Sequence, residues 1–131
     1  MKLELKHLAP YLPYGLKYNN IKNNNTYTMR SISTEINMVD FGWGDAMELN
    51  EVKPILRPLS DLTKEIKHDG DKFTPCTDYY YLKDELEELS TLDSSYIRYT
   101  RYNVVKVLFE LHFDVFGLIE KGLAIDINTL T

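Results

Sequence analysis

Asn103-Val104-Val105-Lys106-Val107-Leu108-Phe109-Glu110-Leu111-His112-Phe113-Asp114-Val115-Phe116 is the stretch on which the reading of the fold turns. Asn103, Lys106, Glu110 and Asp114 recur every three or four residues and make one narrow polar stripe. Val104, Val105, Val107, Leu108, Leu111, Phe113 and Val115 cover much of the remaining circumference. So wide an apolar arc marks a mostly buried helix. A main helix near 103–116 is the expectation, followed by a short apolar turn at 118–121 between Gly117 and Gly122.

Working outward, Tyr79, Leu82, Leu86 and Leu89 fall three or four apart and predict a helix over 79–91. Thr77 or Asp78 would cap it. A further helix is expected over 61–67, capped by Ser60 and closed by His68-Asp69-Gly70-Asp71. Residues 52–59 carry Pro54 and Pro58 and read as extended chain that cannot be a central strand. Toward the N-terminus, 16–18 reads as a strand and the asparagines of 19–25 as a hairpin tip. Thr- and Ile-rich 26–41 reads as one or two strands, with a slip in alternation around 31–34. Phe41-Gly42-Trp43-Gly44-Asp45 is a glycine-punctuated turn whose Trp43 is expected in the core, and 123–127 ends as a strand. The expected class is α+β: a small antiparallel sheet from the N-terminal half, packed on about three helices. With 131 residues and no linker-like stretch, one domain is expected.

Hydrophobic residues make up 44% of the chain and charged residues 27%, close to globular averages, which argues against disorder. Charge is uneven: residues 1–67 carry +1 and residues 68–131 carry −6, together the net −5. An acidic half repels phosphate backbones and suits a partner with a basic surface. Cys76 is the single cysteine, so no intrachain disulfide and no Cys-based zinc site can form. That usage fits a reducing cytoplasm. No signal-peptide pattern opens the chain and no window has the length of a membrane span, so a cytoplasmic location is expected.

Motifs that carry catalysis are missing: there is no HExxH, Gly-x-Ser-x-Gly, Walker loop or GxGxxG. His7, His68 and His112 each stand alone within their segments. Glu110-x-His112-x-Asp114 would share a face on a strand, but on a helix its side chains splay about 200° per step, which disfavours a metal site. Asp69-Gly70-Asp71 lacks the remaining ligands of a calcium loop. Cys76 has no assignable base and reads as an ordinary residue. No enzyme activity, metal or cofactor is expected.

Two surface patterns stand out. Asp84-Glu85-x-Glu87-Glu88 places four carboxylates on the outer face of the 79–91 helix. Such a ridge imitates phosphate spacing, although a charge run is more often a solvated helix face. The second is Tyr96-Ile97-Arg98-Tyr99-Thr100-Arg101-Tyr102. Read as a helix, it aligns Tyr96, Tyr99 and Tyr102 on one face and Arg98 and Arg101 on the next. That arrangement stacks on bases and contacts phosphates, or buries tyrosines while the arginines extend outward. The acidic surroundings favour the second reading.

Three stretches, Leu5-Lys6-His7-Leu8-Ala9-Pro10-Tyr11-Leu12-Pro13-Tyr14-Gly15-Leu16, Ile55-Leu56-Arg57-Pro58-Leu59-Ser60-Asp61-Leu62, and Phe109-Glu110-Leu111-His112-Phe113-Asp114-Val115-Phe116-Gly117-Leu118-Ile119 continuing to Ala124-Ile125-Asp126, resemble small uncharacterised proteins of bacterial phages and prophages. That family often has Trp where Leu111 stands. The resemblance implies a setting: small acidic phage proteins often bind and inhibit a host machine. It leads to the expectation of a non-enzymatic, phage-encoded inhibitor of a host defence machine, such as an RNA-guided nuclease or its ribonucleoprotein, acting in the bacterial cytoplasm. The alternative is a nucleic-acid-binding accessory protein of a phage or mobile element using the Tyr96–Tyr102 segment.

Overall fold

The computed structural model describes residues 2–33, 38–40, 46–91, 97 and 100–130. Trp43, and Thr34 at the end of the expected slip in alternation, lie outside them. The chain is α+β. Its backbone divides into two compact units, Met1–Leu56 with Leu118–Thr131, and Arg57–Gly117.

In the first unit, α1 (Leu5–Leu8) runs into a 3-10 helix, Ala9–Tyr14. Gly15 stops that helix at φ +65°, a left-handed conformation that glycine adopts without penalty. Strand β1 (Lys17–Asn20) follows and turns through the asparagine loop into β2 (Thr26–Thr28). Asn24 takes a positive φ, and the Asn20 Oδ1 accepts from the Lys22 amide at 2.8 Å, the local bonding that makes asparagine a turn residue. Strand β3 (Ser31–Ser33), β4 (Met38–Asp40) and β5 (Ala46–Glu48) form a separate antiparallel sheet. A 3-10 turn, Leu49–Glu51, leads into β6 (Val52–Leu56).

Strand β6 corrects the expectation drawn from Pro54. The four-stranded sheet has the order β2-β1-β6-β9, with β9 at Ile125–Asp126, so β6 is an inner strand. The reason is that β9 is only two residues long. It pairs, in parallel, with Ile55 and Leu56 alone. Pro54 pairs with Tyr18 of β1 but has no partner in β9, so its missing N–H interrupts no second ladder. The sheet is consequently mixed rather than purely antiparallel.

In the second unit the residues expected to form a helix over 61–67 do otherwise. A 3-10 helix covers Leu59–Thr63, and β7 (Ile66–His68) then pairs with β8 (Asp71–Phe73). Asp69 and Gly70 both have positive φ, the backbone of a two-residue hairpin turn favoured by Asp-Gly. Thr77 and Asp78, expected as caps, lie within a separate helix α2 (Pro75–Asp78), and a 3-10 turn (Tyr80–Leu82) followed by α3 (Lys83–Thr91) fills the span 79–91 read as one helix. Leu82, Leu86 and Leu89 are buried as their spacing predicts. They join Leu59, Leu62, Val104, Leu108 and Phe113 in one apolar cluster.

The main helix, α4, spans Tyr102–Glu110 and is shorter than expected. His112 turns to φ +63°. Its amide donates to the Phe109 carbonyl at 3.2 Å, and the Phe113 amide to the Leu108 carbonyl at 2.8 Å. This pair of bonds is a Schellman closure with histidine where glycine is usual, and Phe113 and Leu108 share the same core cluster. Residues 113–116 are therefore outside the helix. Phe113 forms a parallel bridge with Arg57, and the Arg57 amide donates to the His112 carbonyl at 2.8 Å.

Candidate functional site

Helix α3 carries the acidic ridge. Because Leu86 and Leu89 face the core, Asp84, Glu87 and Glu88 are exposed while Glu85 sits on the flank. Glu87 lies 3.8 Å from Lys83, one turn back, a spacing worth only a few tenths of a kcal/mol. Glu85 is different. Its Oε1 accepts a 2.6 Å hydrogen bond from the Arg101 guanidinium, and its Oε2 is buried without a hydrogen bond among the described residues. Glu85 thus serves the fold, and the outward charge of the ridge comes from Asp84, Glu87 and Glu88.

That ion pair joins the two surfaces which the sequence presents separately. Tyr96, Arg98 and Tyr99 lie outside the described residues. Arg101 has extended backbone (φ −62°, ψ 148°) at the N-cap of α4, so no single helix runs through the segment to Tyr102. The expected alignment of Arg101 on a helical face is corrected accordingly: its side chain turns to α3. Tyr102, the first residue of α4, is 75% exposed.

A third element escapes the sequence reading. Asp78-Tyr79-Tyr80-Tyr81 holds three consecutive tyrosines. Helical residues are spaced about 100° apart, so three in a row span about 200° and cannot all face one core. Backbone at Tyr79 leaves the helical region (φ −100°, ψ 54°), and the 3-10 turn that follows buries Leu82. Tyr80 and Tyr81 are left 78% and 65% exposed. Their rings stand edge to face, 5.7 Å apart at 87°, and Tyr81 meets Tyr79 at 6.4 Å and 64°. Tyr79 and Tyr81 help line a small pocket of about 190 Å³ with Leu82, Asn103, Val107 and the Lys106–Glu110 ion pair. Burial, then Glu110, Tyr81 and Asp78, raise the Tyr79 hydroxyl above the usual phenol range.

The remaining reactive side chains are built into the frame. The Arg57 side chain is buried and donates Nε–H to the Leu111 carbonyl (3.1 Å) and an NH2 proton to the Lys67 carbonyl (2.6 Å). The same NH2 lies 3.4 Å from His68 Nδ1, and the His68 ring packs edge-on against His112 at 4.8 Å. His68 and His112, separate in sequence, are thus brought into ring contact, with the Arg57 guanidinium against His68. Burial lowers the His68 pKa, with Arg57 adding to the fall and Asp69 opposing it. His7 accepts the Glu4 amide on Nδ1 at 3.0 Å, and burial lowers its pKa too. The Cys76 thiol is buried, and that burial raises its pKa away from the thiolate. No group of three or more His, Cys, Asp or Glu that could hold a metal ion is found among the described residues. In the first unit, a groove of about 470 Å³ has Leu49 and Val52 in its floor and Lys2, Lys53 and Glu48 at its rim.

No helix among the described residues is long and apolar enough to cross a membrane. No protein-family model matches the chain, and neither a curated protein nor a solved structure is significantly similar to it.

Proposed function

We propose that the chain is a non-enzymatic binding protein that occupies a basic surface of another protein. With the phage resemblance, that other protein is a host defence machine such as an RNA-guided nuclease, and binding inhibits it. The observation that carries this reading is the exposure of Tyr80 and Tyr81 on the turn that leads directly into the carboxylates of α3. An exposed tyrosine offers a partner a large rigid ring and a hydroxyl, and tyrosine is enriched at protein interfaces. Neighbouring carboxylates supply what such a patch lacks, a field that orients and speeds a basic partner's approach. Supporting the non-catalytic side, the single thiol is buried with a raised pKa. Arg101, a member of the arginine–tyrosine segment, is engaged by Glu85 rather than free for phosphate, which weighs against the nucleic-acid alternative.

The test uses the 131-residue chain as bait in a lysate of a bacterial host, with mass spectrometry and then surface plasmon resonance on the captured protein. Glu87→Lys with Glu88→Lys, and separately Tyr80→Ala, are expected to weaken binding about tenfold or more, the charge reversal mainly through slower association. Thermal unfolding of both variants should stay close to that of the parent chain, since neither site touches the core. Unchanged association and affinity in both variants would remove the face from consideration. Sub-micromolar binding of random single-stranded RNA or DNA at physiological salt would instead favour the nucleic-acid reading.

A further inference from the structure

Resting on the reading of this face as protein-binding, we infer that the pocket beside Tyr79, Tyr81 and Glu110 receives one arginine side chain of the partner. Its size is the first argument. At about 190 Å³ it is smaller than the ~300–1,000 Å³ clefts that hold drug-sized ligands, and it suits a single side chain. The walls are the second. Two tyrosine rings meet at 64° with centroids 6.4 Å apart, offering a π face to a flat cation. Guanidinium is planar, weakly hydrated and stacks on aromatic faces better than ammonium does. Leu82 and Val107, both buried, give the methylene stem an apolar floor.

Charge decides between occupants. Glu110 lines the pocket, and Glu110 and Asp78 both act electrostatically on the Tyr79 hydroxyl. A carboxylate or phosphate entering there would meet like charge. A neutral ring would stack on the tyrosines and leave Glu110 with no new partner. Arginine satisfies the rings and the carboxylate together, with a fork that can donate to Glu110. Among the described residues, Lys106 is the one cation lining the pocket. It sits 3.8 Å from Glu110 on a half-exposed side chain, long for a hydrogen bond, so it can swing to solvent as the guanidinium arrives.

The experiment titrates the ¹⁵N-labelled 131-residue chain with acetyl-Gly-Arg-Gly-amide, and with counterparts carrying lysine or citrulline, the neutral isostere of arginine. The arginine peptide is expected to shift the amides of Tyr79, Tyr81, Asn103 and Lys106. It should bind about threefold or more tightly than the lysine peptide and more tightly still than the citrulline peptide. Tyr81→Ala and Glu110→Gln should each weaken it about threefold or more, with circular-dichroism melts confirming that both variants fold. Equal binding of the citrulline peptide, or shifts that map elsewhere, would overturn the inference. Should the arginine peptide miss these amides while capture of the partner stays sensitive to Glu87→Lys and Glu88→Lys, the arginine pocket fails and the binding face stands. Should the peptide bind here while those reversals leave capture untouched, the pocket stands and the wider face fails.

Discussion

Replacing Arg57 with alanine should unfold the second unit at much lower denaturant concentration. The side chain makes two charge-assisted hydrogen bonds to backbone carbonyls, a buried one to Leu111 at 3.1 Å and a part-buried one to Lys67 at 2.6 Å. Hydrogen bonds to charged groups contribute about 1.5–3 kcal/mol each, so their loss alone removes about 3–6 kcal/mol. Burial works the other way. It pushes the guanidinium's pKa below its ordinary value, with Asp61 and Asp69 pulling it back, and alanine removes that desolvation cost. A net destabilisation of about 3–4 kcal/mol is the expected balance. Arg57→Lys should cost about half as much, since one ammonium cannot reproduce a fork that reaches both carbonyls. Urea titrations followed by circular dichroism measure the loss, and amide hydrogen exchange locates it. Arg57, Asp114 and Phe113 donate the bonds that tie the segment after α4 to residue 57 and to Leu108, so their amides should lose protection together. A loss below about 1 kcal/mol, with these amides still protected, would show that the carbonyls find other donors and that Arg57 is not the tie described.

Two other outcomes follow from the same packing. Leu108 is fully buried beneath the Schellman closure, and Leu108→Ala should destabilise by about 2–5 kcal/mol in denaturant melts; a shift under about 0.5 kcal/mol would misplace the core. His7 and His68 both have folded pKa values below the ordinary histidine value, so the unfolded chain binds more protons between the folded and unfolded values. Stability is therefore complete above about pH 6.5 and falls as pH drops through it, levelling once the folded values are passed. Melting temperatures between about pH 7.5 and 5 should show that decline, and His7→Gln with His68→Gln should flatten it.

Several features were legible from local chemistry. Leu86 and Leu89, with Leu82 just ahead of them on the 3-10 turn, mark α3 because helical periodicity is intrinsic to the backbone, and the asparagine run specifies the β1–β2 turn because Asn20 and Asn24 satisfy it locally. The α+β class follows from such local signals. Asp69-Gly70 was legible as well, since Asp-Gly is a hairpin signal, but it read as a helix stop because Ser60 and Asp61 suggested a helix ahead of it.

What escaped was decided by partners distant in sequence. Pro54 is tolerated in an inner strand because β9, some seventy residues away, is too short to reach it. The end of α4 depends on a left-handed histidine whose next residue bridges to Arg57, and a histidine carries no local mark of that role. The candidate face follows the same division. Sequence alone identifies the carboxylates of α3 and the chain's ten tyrosines. Tertiary structure decides which of them face outward: Glu85 is taken by Arg101 sixteen residues on, and Tyr80 and Tyr81 are exposed because Leu82 claims the core. Local propensity sets which elements form. Which side chains remain available is set by burial and pairing across the fold, because each core position and each counter-charge can be occupied only once.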